Sequence, residues 1–471
     1  MRFSTATTAE KLLPQRLALS SRPLFDRIDA LLFSADERGA ASRMSLIAFS
    51  IRIISAFIAF VSQVLMARWI GSFEYGIFVL VWTTVVILGN LSCLGFHTSV
   101  IRYIPEYREK RMTAELRGIL LTSRLFSLIA STLIAMVGAA GVWIFADRFE
   151  PYYVVPFILG MICLPMIALG DVLQGIARAN SWALAALAPT YLIRPIAILV
   201  LLGLAMVFGF PVDAKTGILA AIAATYATTL YQLITTTNRV ERAIGAGPRA
   251  ILFRQWFWVS LPIFLVESFF FLLTNADVLL VGAFMNPEDV AVYFATVKTL
   301  ALVHFVYFAV KAGVAQRYSQ FTHGQSHQLA AFARETVSWT FWPSLAMGLV
   351  VLAIGKPMLL LFGPGFAAGY PLLFPLVFGV VMRSAVGPAE SLLTMSGNQN
   401  LCAAIFALTL AVNVSLAIYL IPHFGLWGAA VATTLSMCFE AIALSLAVRR
   451  RLGITMFVFA PSTLSSDRRP I

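Results

Sequence analysis

Long apolar stretches recur along the chain, each about as long as one membrane crossing. A helix needs about 20 predominantly apolar residues to span a bilayer. Twelve stretches meet this requirement: residues 45–67, 76–98, 118–146, 153–177, 184–208, 217–238, 256–280, 290–310, 337–355, 371–393, 402–421 and 426–448. The pattern predicts an all-α integral membrane protein with about twelve transmembrane helices joined by short loops.

Composition supports this prediction and excludes several classes of protein. Of the 471 residues, 60% are hydrophobic and only 12% are charged, whereas a soluble domain is about half apolar and a quarter charged. The four cysteines lie in apolar stretches and form no CxxC pair, which is typical of small buried residues rather than metal ligands. No phosphate-binding loop or zinc- or serine-hydrolase motif occurs. We expect no catalytic residue, cofactor or metal.

Lysine and arginine concentrate in alternate loops. Of the 34 basic residues, 25 fall in the termini and in the loops on the same side as the termini, and 4 fall in the opposite loops. Cytoplasmic loops of membrane proteins carry such an excess. The bias predicts that both termini are cytoplasmic, and it accounts for the net charge of +12 without a nucleic-acid partner.

The same pattern divides the chain into two six-span lobes. The predicted parts are a cytoplasmic tail at 1–44, an N-lobe at 45–238, a basic linker at 239–255, a C-lobe at 256–448 and a second tail at 449–471. Apolar residues from Leu24 to Leu32 recur at helical spacing among charges. This segment is either a helix on the membrane surface or an unstructured tail with chance periodicity.

An internal duplication relates the two lobes. GILAAIAAT at 217–225 opens the sixth span and GLWGAAVAT at 425–433 opens the twelfth. Both fit one pattern, with Gly217 and Gly425 in the same position. Because each lobe has an even number of spans, both lobes enter the membrane from the same side. The sequence therefore predicts a parallel repeat, related by an axis along the membrane normal, around a central cavity.

Several short motifs resemble one family of transporters. They are ARWIG at 67–71, FEYGIF at 73–78, VIRYIPEY at 100–107, NADVLLVG at 275–282 and GLWGAA at 425–430. In this order, the motifs resemble polysaccharide-transport (Wzx-type) flippases. The superfamily to which these flippases belong also contains lipid II flippases and the multidrug exporters called MATE.

The resemblance implies a function in polysaccharide biosynthesis. Flippases of this type move undecaprenyl-pyrophosphate-linked oligosaccharides from the cytoplasmic to the periplasmic leaflet of the bacterial inner membrane. The expected partners are therefore the lipid-linked oligosaccharide, membrane lipids, and the glycosyltransferases and polymerase of the same pathway. Those partner proteins, rather than this chain, would carry out the chemistry.

Charged residues inside the predicted spans are the candidates for function, because each costs about 2.5–3.5 kcal/mol to insert. Arginine presents forked donors that match phosphate oxygens. We predict that Arg52, Arg194 and Arg383 line one cavity and hold the substrate pyrophosphate, with Arg124 near its cytoplasmic entrance. Structural pairing is the alternative for each arginine, including an Arg383–Glu390 pair, and Asp277 and Lys298 form another potential pair.

Three further residues are candidates for cation coupling. Glu267 and Glu440 fall near the middle of their spans, where a carboxylate can take up a proton or bind Na⁺. His304 lies midway along the eighth span and can relay protons. The alternatives are a partner for Arg383 or for a helix hydroxyl in the case of the two acids, and a hydrogen-bonded packing residue in the case of His304.

Two other functions remain open from the sequence. A MATE-like drug exporter would present an acidic cavity to cationic drugs, which the arginines of the N-lobe argue against. A polysaccharide polymerase or ligase would need a sizeable outer loop, and every predicted outer loop is short.

Overall fold

The structure is a computed structural model that describes residues 37–324 and 326–460, without the side chains of residues 37–50, 52, 312, 315–316, 319–320, 322–324 and 326–327. Residues Leu24 to Leu32, which the sequence leaves open between a surface helix and an unstructured tail, lie outside this described part. Within it, the secondary structure is entirely helical. The α-helices are α1 Glu37–Ser92, α2 Phe96–Glu109, α3 Thr113–Ile144, α4 Pro151–Ala179, α5 Ala183–Ala188, α6 Arg194–Val207, α7 Ala214–Ile244, α8 Phe253–Leu273, α9 Ala276–Phe284, α10 Pro287–Gly324, α11 Ser326–Phe362, α12 Leu373–Ser384, α13 Ala389–Met395, α14 Gln399–Phe424 and α15 Leu426–Leu452.

Helix α1 contains the first two predicted spans. It bends at Gly71, whose backbone has a φ of 80° and a ψ of 164°. The Tyr75 hydroxyl donates a hydrogen bond of 2.8 Å to the Gln63 side chain. Twelve residues of straight helix would separate these positions by about 18 Å, so the chain must fold back at Gly71. The two arms of α1 therefore form a hairpin.

Eleven segments among the described residues are long and apolar enough to cross a membrane. The first, Ile53–Ser92, has 40 residues and contains the hairpin, so it supplies two crossings. The prediction of about twelve transmembrane helices is confirmed. We name the face with the Gly71 turn the hairpin face, and the opposite face, with residues 245–252 between α7 and α8, the linker face.

Four predicted spans are not continuous α-helices. The second is interrupted between the end of α1 at Ser92 and the start of α2 at Phe96. The fifth contains a π-helical turn at Pro189–Ile193. The seventh ends at Leu273, and α9 begins only at Ala276. The tenth starts as a 3₁₀ helix and breaks again between α12 and α13, where the Val458 amide donates to the Ala385 carbonyl oxygen at 3.0 Å. At such breaks, backbone N–H and C=O groups lose their helical hydrogen bonds, and other donors and acceptors must replace these bonds.

We call the described residues up to 244 the first half and those from 253 onward the second half. The hydrophobic core differs between the hairpin face and the linker face. Toward the hairpin face, one core contains residues of both halves, for example Tyr75 from the first half and Tyr293 from the second. Toward the linker face, the halves have separate cores. One surrounds Tyr103 and Leu173 in the first half, and the other surrounds Phe332 in the second half. The halves therefore pack together at the hairpin face and diverge toward the linker face.

Contacts at the hairpin face are close. A Cβ atom added to Gly76 would lie 1.7 Å from the Pro287 carbonyl oxygen, so only glycine fits there. The Tyr75 ring packs against Phe294 and Phe366 of the second half, with ring centroids 6.3 and 6.2 Å away. The structure is therefore closed at the hairpin face.

Helix α8 connects the two halves. Trp256 near its start is fully buried in the linker-side core of the first half, where its indole donates to the Tyr107 hydroxyl at 2.8 Å. Phe270 near its end packs against the corresponding core of the second half. Helix α8 therefore borders the space between the diverging halves.

Candidate functional site

A cavity of about 320 Å³ lies in the first half, between the α1 hairpin, α4 and the broken fifth span. Its volume is at the lower end of the range of small-molecule sites. Its walls come from single helical faces, because residues three or four apart share a face. The lining residues from α1 are Ala59, Ser62, Gln63 and Met66 in the first arm and Phe78, Trp82, Val86 and Asn90 in the second.

Arg194 reaches this cavity through an irregular backbone. It follows the π-helical turn at Pro189–Ile193 and precedes Pro195. Proline has no amide hydrogen, so Pro189 leaves the Ala185 carbonyl oxygen without its helical donor. The Gln232 side chain of α7 donates to that oxygen at 3.1 Å. A π turn closes one residue later than an α-helical turn, so the side chains that follow it project from a different side of the helix.

The Arg194 guanidinium is buried and forms no ion pair among the described residues, although the Asp171 carboxylate is close enough to attract it electrostatically. The side chain is 6% exposed and its Nε atom has no hydrogen bond. Asp171 lines the same cavity, but it forms no ion pair with Arg194 and instead accepts a hydrogen bond of 3.3 Å from Asn90. A buried charge without an ion pair is costly. Binding of an anion would offset this cost of burial, so Arg194 is a candidate for binding an anion.

A second cavity of about 280 Å³ adjoins the first toward the linker face. The two share the lining residues Asn90, Asp171, Tyr191 and Phe271. At its rim, Glu267 of α8 accepts a hydrogen bond of 2.7 Å from Thr98 and lies 3.2 Å from Nε2 of His97. Glu267 therefore contacts a helix hydroxyl, as one alternative predicted, and it connects α8 to the first half.

The second half holds a different set of charges. Arg383 forms an ion pair of 2.9 Å with Glu440, and both side chains are almost fully buried. Glu390 forms an ion pair of 3.0 Å with Lys311 and accepts a hydrogen bond of 2.5 Å from Tyr307. Two cations and two acids lie in this cluster, so their formal charges balance.

The space beside this cluster is narrow. The cavity has a volume of only about 50 Å³, and Arg383, Glu440 and His304 are among its lining residues. The His304 ring stacks on Phe308, with centroids 6.4 Å apart. The Arg383 guanidinium lies over the Tyr307 ring, 4.9 Å from its centroid. These side chains fill most of the available volume, so the cavity holds little besides water.

The structure corrects the prediction that the arginines line one cavity. Arg194 and Arg383 line different cavities in different halves. Arg124 donates to the Thr237 hydroxyl at 3.0 Å and lines neither cavity. The Arg52 side chain lies outside the described residues. Of the four predicted arginines, only Arg194 is shown in the larger cavity.

One of the alternative pairings, Glu440 with Arg383, is observed, and two others are not seen in the described part of the chain. Arg383 pairs with Glu440 rather than with Glu390, because Glu390 is held by Lys311. Asp277 accepts a hydrogen bond of 3.1 Å from Tyr293, and no ion pair joins it to Lys298 among the described residues. The Lys298 ammonium group instead lies 4.6 Å from the centroid of the Phe294 ring.

Sequence reasoning missed the uncharged part of the site. Phe78, Trp82, Val86 and Asn90 follow one another at intervals of four residues and line the larger cavity. That spacing marks one helical face and can be seen in the sequence. Uncharged residues inside a span have little insertion cost, so unlike the charged residues they do not stand out as candidates for function. No cluster of histidine, cysteine and acidic residues suitable for a metal occurs in the described part of the chain.

Comparison with known proteins places the chain in one family. The sequence profile of the family described as "Polysaccharide biosynthesis protein" matches residues 43–315, more than half of the chain. None of the curated protein sequences matches it.

Several solved structures share the fold. A multidrug resistance transporter of the MATE family and MOP superfamily, in an inward-facing conformation, superposes with a TM-score of 0.68 at 15% identity, over 87% of this chain and 98% of its own. The lipid II flippase MurJ, in an inward closed conformation, gives 0.66 at 15% identity over 86% and 87%. A MOP superfamily transporter from Pyrococcus furiosus gives 0.61 at 15% identity over 90% and 97%.

Proposed function

The chain belongs to the family of polysaccharide biosynthesis proteins, and on that premise we propose that it is a flippase for undecaprenyl-pyrophosphate-linked oligosaccharides. It moves them from the cytoplasmic to the periplasmic leaflet of the bacterial inner membrane. In this proposal the chain carries out no reaction, and glycosyltransferases and a polymerase of the same pathway make and use its substrate.

The observation that carries the proposal is that Arg194 in the larger cavity is buried and forms no ion pair within the described chain. A pyrophosphate has negative charges on planar groups of oxygens, and the guanidinium fork matches them with two parallel hydrogen bonds. Binding of the pyrophosphate offsets the cost of burying Arg194 without an ion pair. The positive charge of Arg194 and the negative charge of the pyrophosphate are complementary.

The shape of the protein supports alternating access. The halves are packed together at the hairpin face and separate toward the linker face. In our proposal the linker face is cytoplasmic, since most lysine and arginine residues lie on that side. The glycan and pyrophosphate enter the cleft there, the lipid tail stays in the bilayer, and rocking of the lobes exposes the cavity at the other face.

The proposed orientation has a direct test. Both termini and the linker should be cytoplasmic, so reporter fusions after residues 111, 247 and 449 should report a cytoplasmic location. A fusion after residue 213 should report a periplasmic location. A periplasmic signal at 247 would contradict the orientation.

A cation gradient resets the transporter in this proposal, and Glu267 is its best-placed candidate. It lines a cavity and lies between α8 and the first half. Glu440 remains a weaker candidate because it already compensates Arg383. His304 remains a candidate relay beside that pair.

Arg194 substitutions test the function. We expect Arg194→Ala to abolish most glycan delivery to the outer face, Arg194→Lys to retain part of it, and Arg194→Glu to abolish it, each at normal membrane abundance. Lysine keeps the charge but loses the fork. The matched control is Arg124→Ala, which removes an intramembrane arginine outside the cavities. Normal delivery by Arg194→Ala would refute the pyrophosphate site.

A MATE-like exporter is the second candidate, and one observation favours it. Asp171 and Glu267 both line the second cavity, where they could attract a cationic drug. Deletion of the protein would then sensitise cells to cationic dyes and drugs and leave surface polysaccharide unchanged. The flippase proposal predicts the opposite pair of results.

A further inference from the structure

The larger cavity has an aromatic wall beside its polar groups. Phe78 and Trp82, one helical turn apart in the second arm of α1, stack with ring centroids 6.1 Å apart and an interplanar angle of 9°. Phe78 is 2% exposed, whereas Trp82 is only half-buried and lines the cavity. The stacked Phe78 ring fixes the indole orientation, so the cavity has a rigid, flat aromatic surface.

Groups that can bind hydroxyls lie close to this surface. Two turns beyond Trp82, Asn90 donates to the Asp171 carboxylate at 3.3 Å. This pair leaves the Asn90 carbonyl oxygen and further carboxylate lone pairs able to accept hydrogen bonds. The Gln63 amide lines the same cavity and is held by the Tyr75 hydroxyl.

We propose that this wall binds the first sugar of the lipid-linked oligosaccharide, the one attached to the pyrophosphate. A pyranose ring has a face of weakly positive C–H groups, which suits the negative face of an indole. The hydroxyls at the edge of the ring donate hydrogen bonds to the Asn90 carbonyl oxygen and the Asp171 carboxylate. Trp82 therefore provides affinity for a sugar ring, and the Asn90–Asp171 pair distinguishes among sugars by the positions of their hydroxyls. This inference rests on the proposed function.

The arrangement of the cavities supports the assignment to the first sugar. Arg194 and Trp82 line the same cavity, so a pyrophosphate on Arg194 places its attached sugar within that space. The second cavity continues from Asn90 and Asp171 toward the linker face, with Gln174 and Arg178 in its lining. Later sugars extend in that direction, where the space is more open to solvent and imposes less selection.

A binding experiment separates this inference from the function on which it rests. Purified protein in detergent is titrated with undecaprenyl pyrophosphate, and with the same lipid carrying one glucose, galactose, N-acetylglucosamine or N-acetylgalactosamine. We expect at least one of these sugars to increase affinity about tenfold, which corresponds to ~1.4 kcal/mol. Trp82→Ala should bring the ratio of affinities for the glycosylated and the sugar-free lipid close to one, whatever it does to the affinity for the sugar-free lipid itself. Trp82→Phe should keep most of the gain. Asn90→Ala should reduce the differences among sugars.

Arg194→Ala provides the comparison. It should weaken binding of the sugar-free and glycosylated lipids alike. If no sugar increases affinity in the wild type, or if Trp82→Ala keeps the full gain, the sugar site is refuted while the flippase proposal stands. If wild type and Arg194→Ala bind the sugar-free lipid equally, the pyrophosphate site itself is wrong.

Discussion

The sequence repeat predicts that α7 in the first half and α15 in the second half correspond, and the two helices differ in chemistry. In the duplicated motif, Gly217 and Gly425 mark the same position, and fifteen residues later α7 has Gln232 where α15 has Glu440. Glu440 neutralises Arg383. Gln232 instead satisfies the carbonyl oxygen that Pro189 leaves free, and Arg194 has no ion-pair partner among the described residues.

The difference shows how one architecture can supply both a rigid part and a binding part. In the second half, paired charges and a cavity of only about 50 Å³ leave little room for a ligand. In the first half, the unpaired arginine borders a cavity of about 320 Å³. We infer that the second half serves mainly as a rigid body and the first half holds the substrate.

The largest predicted effect concerns the paired arginine. Glu440→Gln leaves Arg383 buried without its counter-ion, which should lower the free energy of unfolding by about 3–5 kcal/mol. Removing both charges, in the double variant Arg383→Met with Glu440→Leu, should restore most of the loss. Thermal denaturation of the purified protein in detergent measures both. A double variant as unstable as the single one would show that the ion pair itself stabilises the fold.

An intermediate effect is expected at Gln232. Gln232→Leu removes the donor to the Ala185 carbonyl oxygen, and a buried unsatisfied carbonyl costs about 1–3 kcal/mol. On a Pro189→Ala background, residue 189 regains an amide that can bond the same oxygen, so Gln232→Leu should then cost much less. Equal losses on the two backgrounds would mean that Gln232 stabilises the protein through another contact.

The smallest effect on stability is expected at the unpaired arginine. Arg194→Met breaks no ion pair, and Asp171 keeps its hydrogen bond from Asn90, so the free energy of unfolding should fall by less than about 1 kcal/mol or increase. Arg383→Met, its matched control, leaves Glu440 unpaired and should be strongly destabilising. A similar loss in both variants would remove the distinction between the two halves.

The sequence predicted the membrane architecture well, because hydrophobic length dominates a fold in a bilayer. The number of membrane crossings and the lack of strands in the described part follow from the apolar stretches alone. Their internal breaks were missed. Local signals do follow the ends of α8 and α12, namely Thr274-Asn275 and Gly387-Pro388, but apolar sequence continues on both sides and each stretch therefore resembles one uninterrupted span.

The candidate site was predicted only in part. Arg194 stands out in the sequence because an intramembrane charge is rare. The sequence offered several acids as partners for Arg383, Glu440 among them, without deciding between them, and it did not indicate Lys311 as the partner of Glu390. Helical spacing identifies residues on one face but not which neighbouring helix meets that face. The two residues share a face of the predicted span, yet each binds a residue from another helix. Such partners depend on packing between elements distant in sequence.

The contact between Gly76 and Pro287 has a consequence for the permeability of the membrane. The backbones approach so closely there that even a methyl group on Gly76 would overlap the Pro287 oxygen. Water cannot occupy such a contact, so no hydrated ion can pass between the two halves at this point. A protein with a cleft open at one side of a membrane would otherwise dissipate the voltage across it. In the proposed flippase, this backbone contact closes one path by which ions could leak across the energised membrane while the cleft is open.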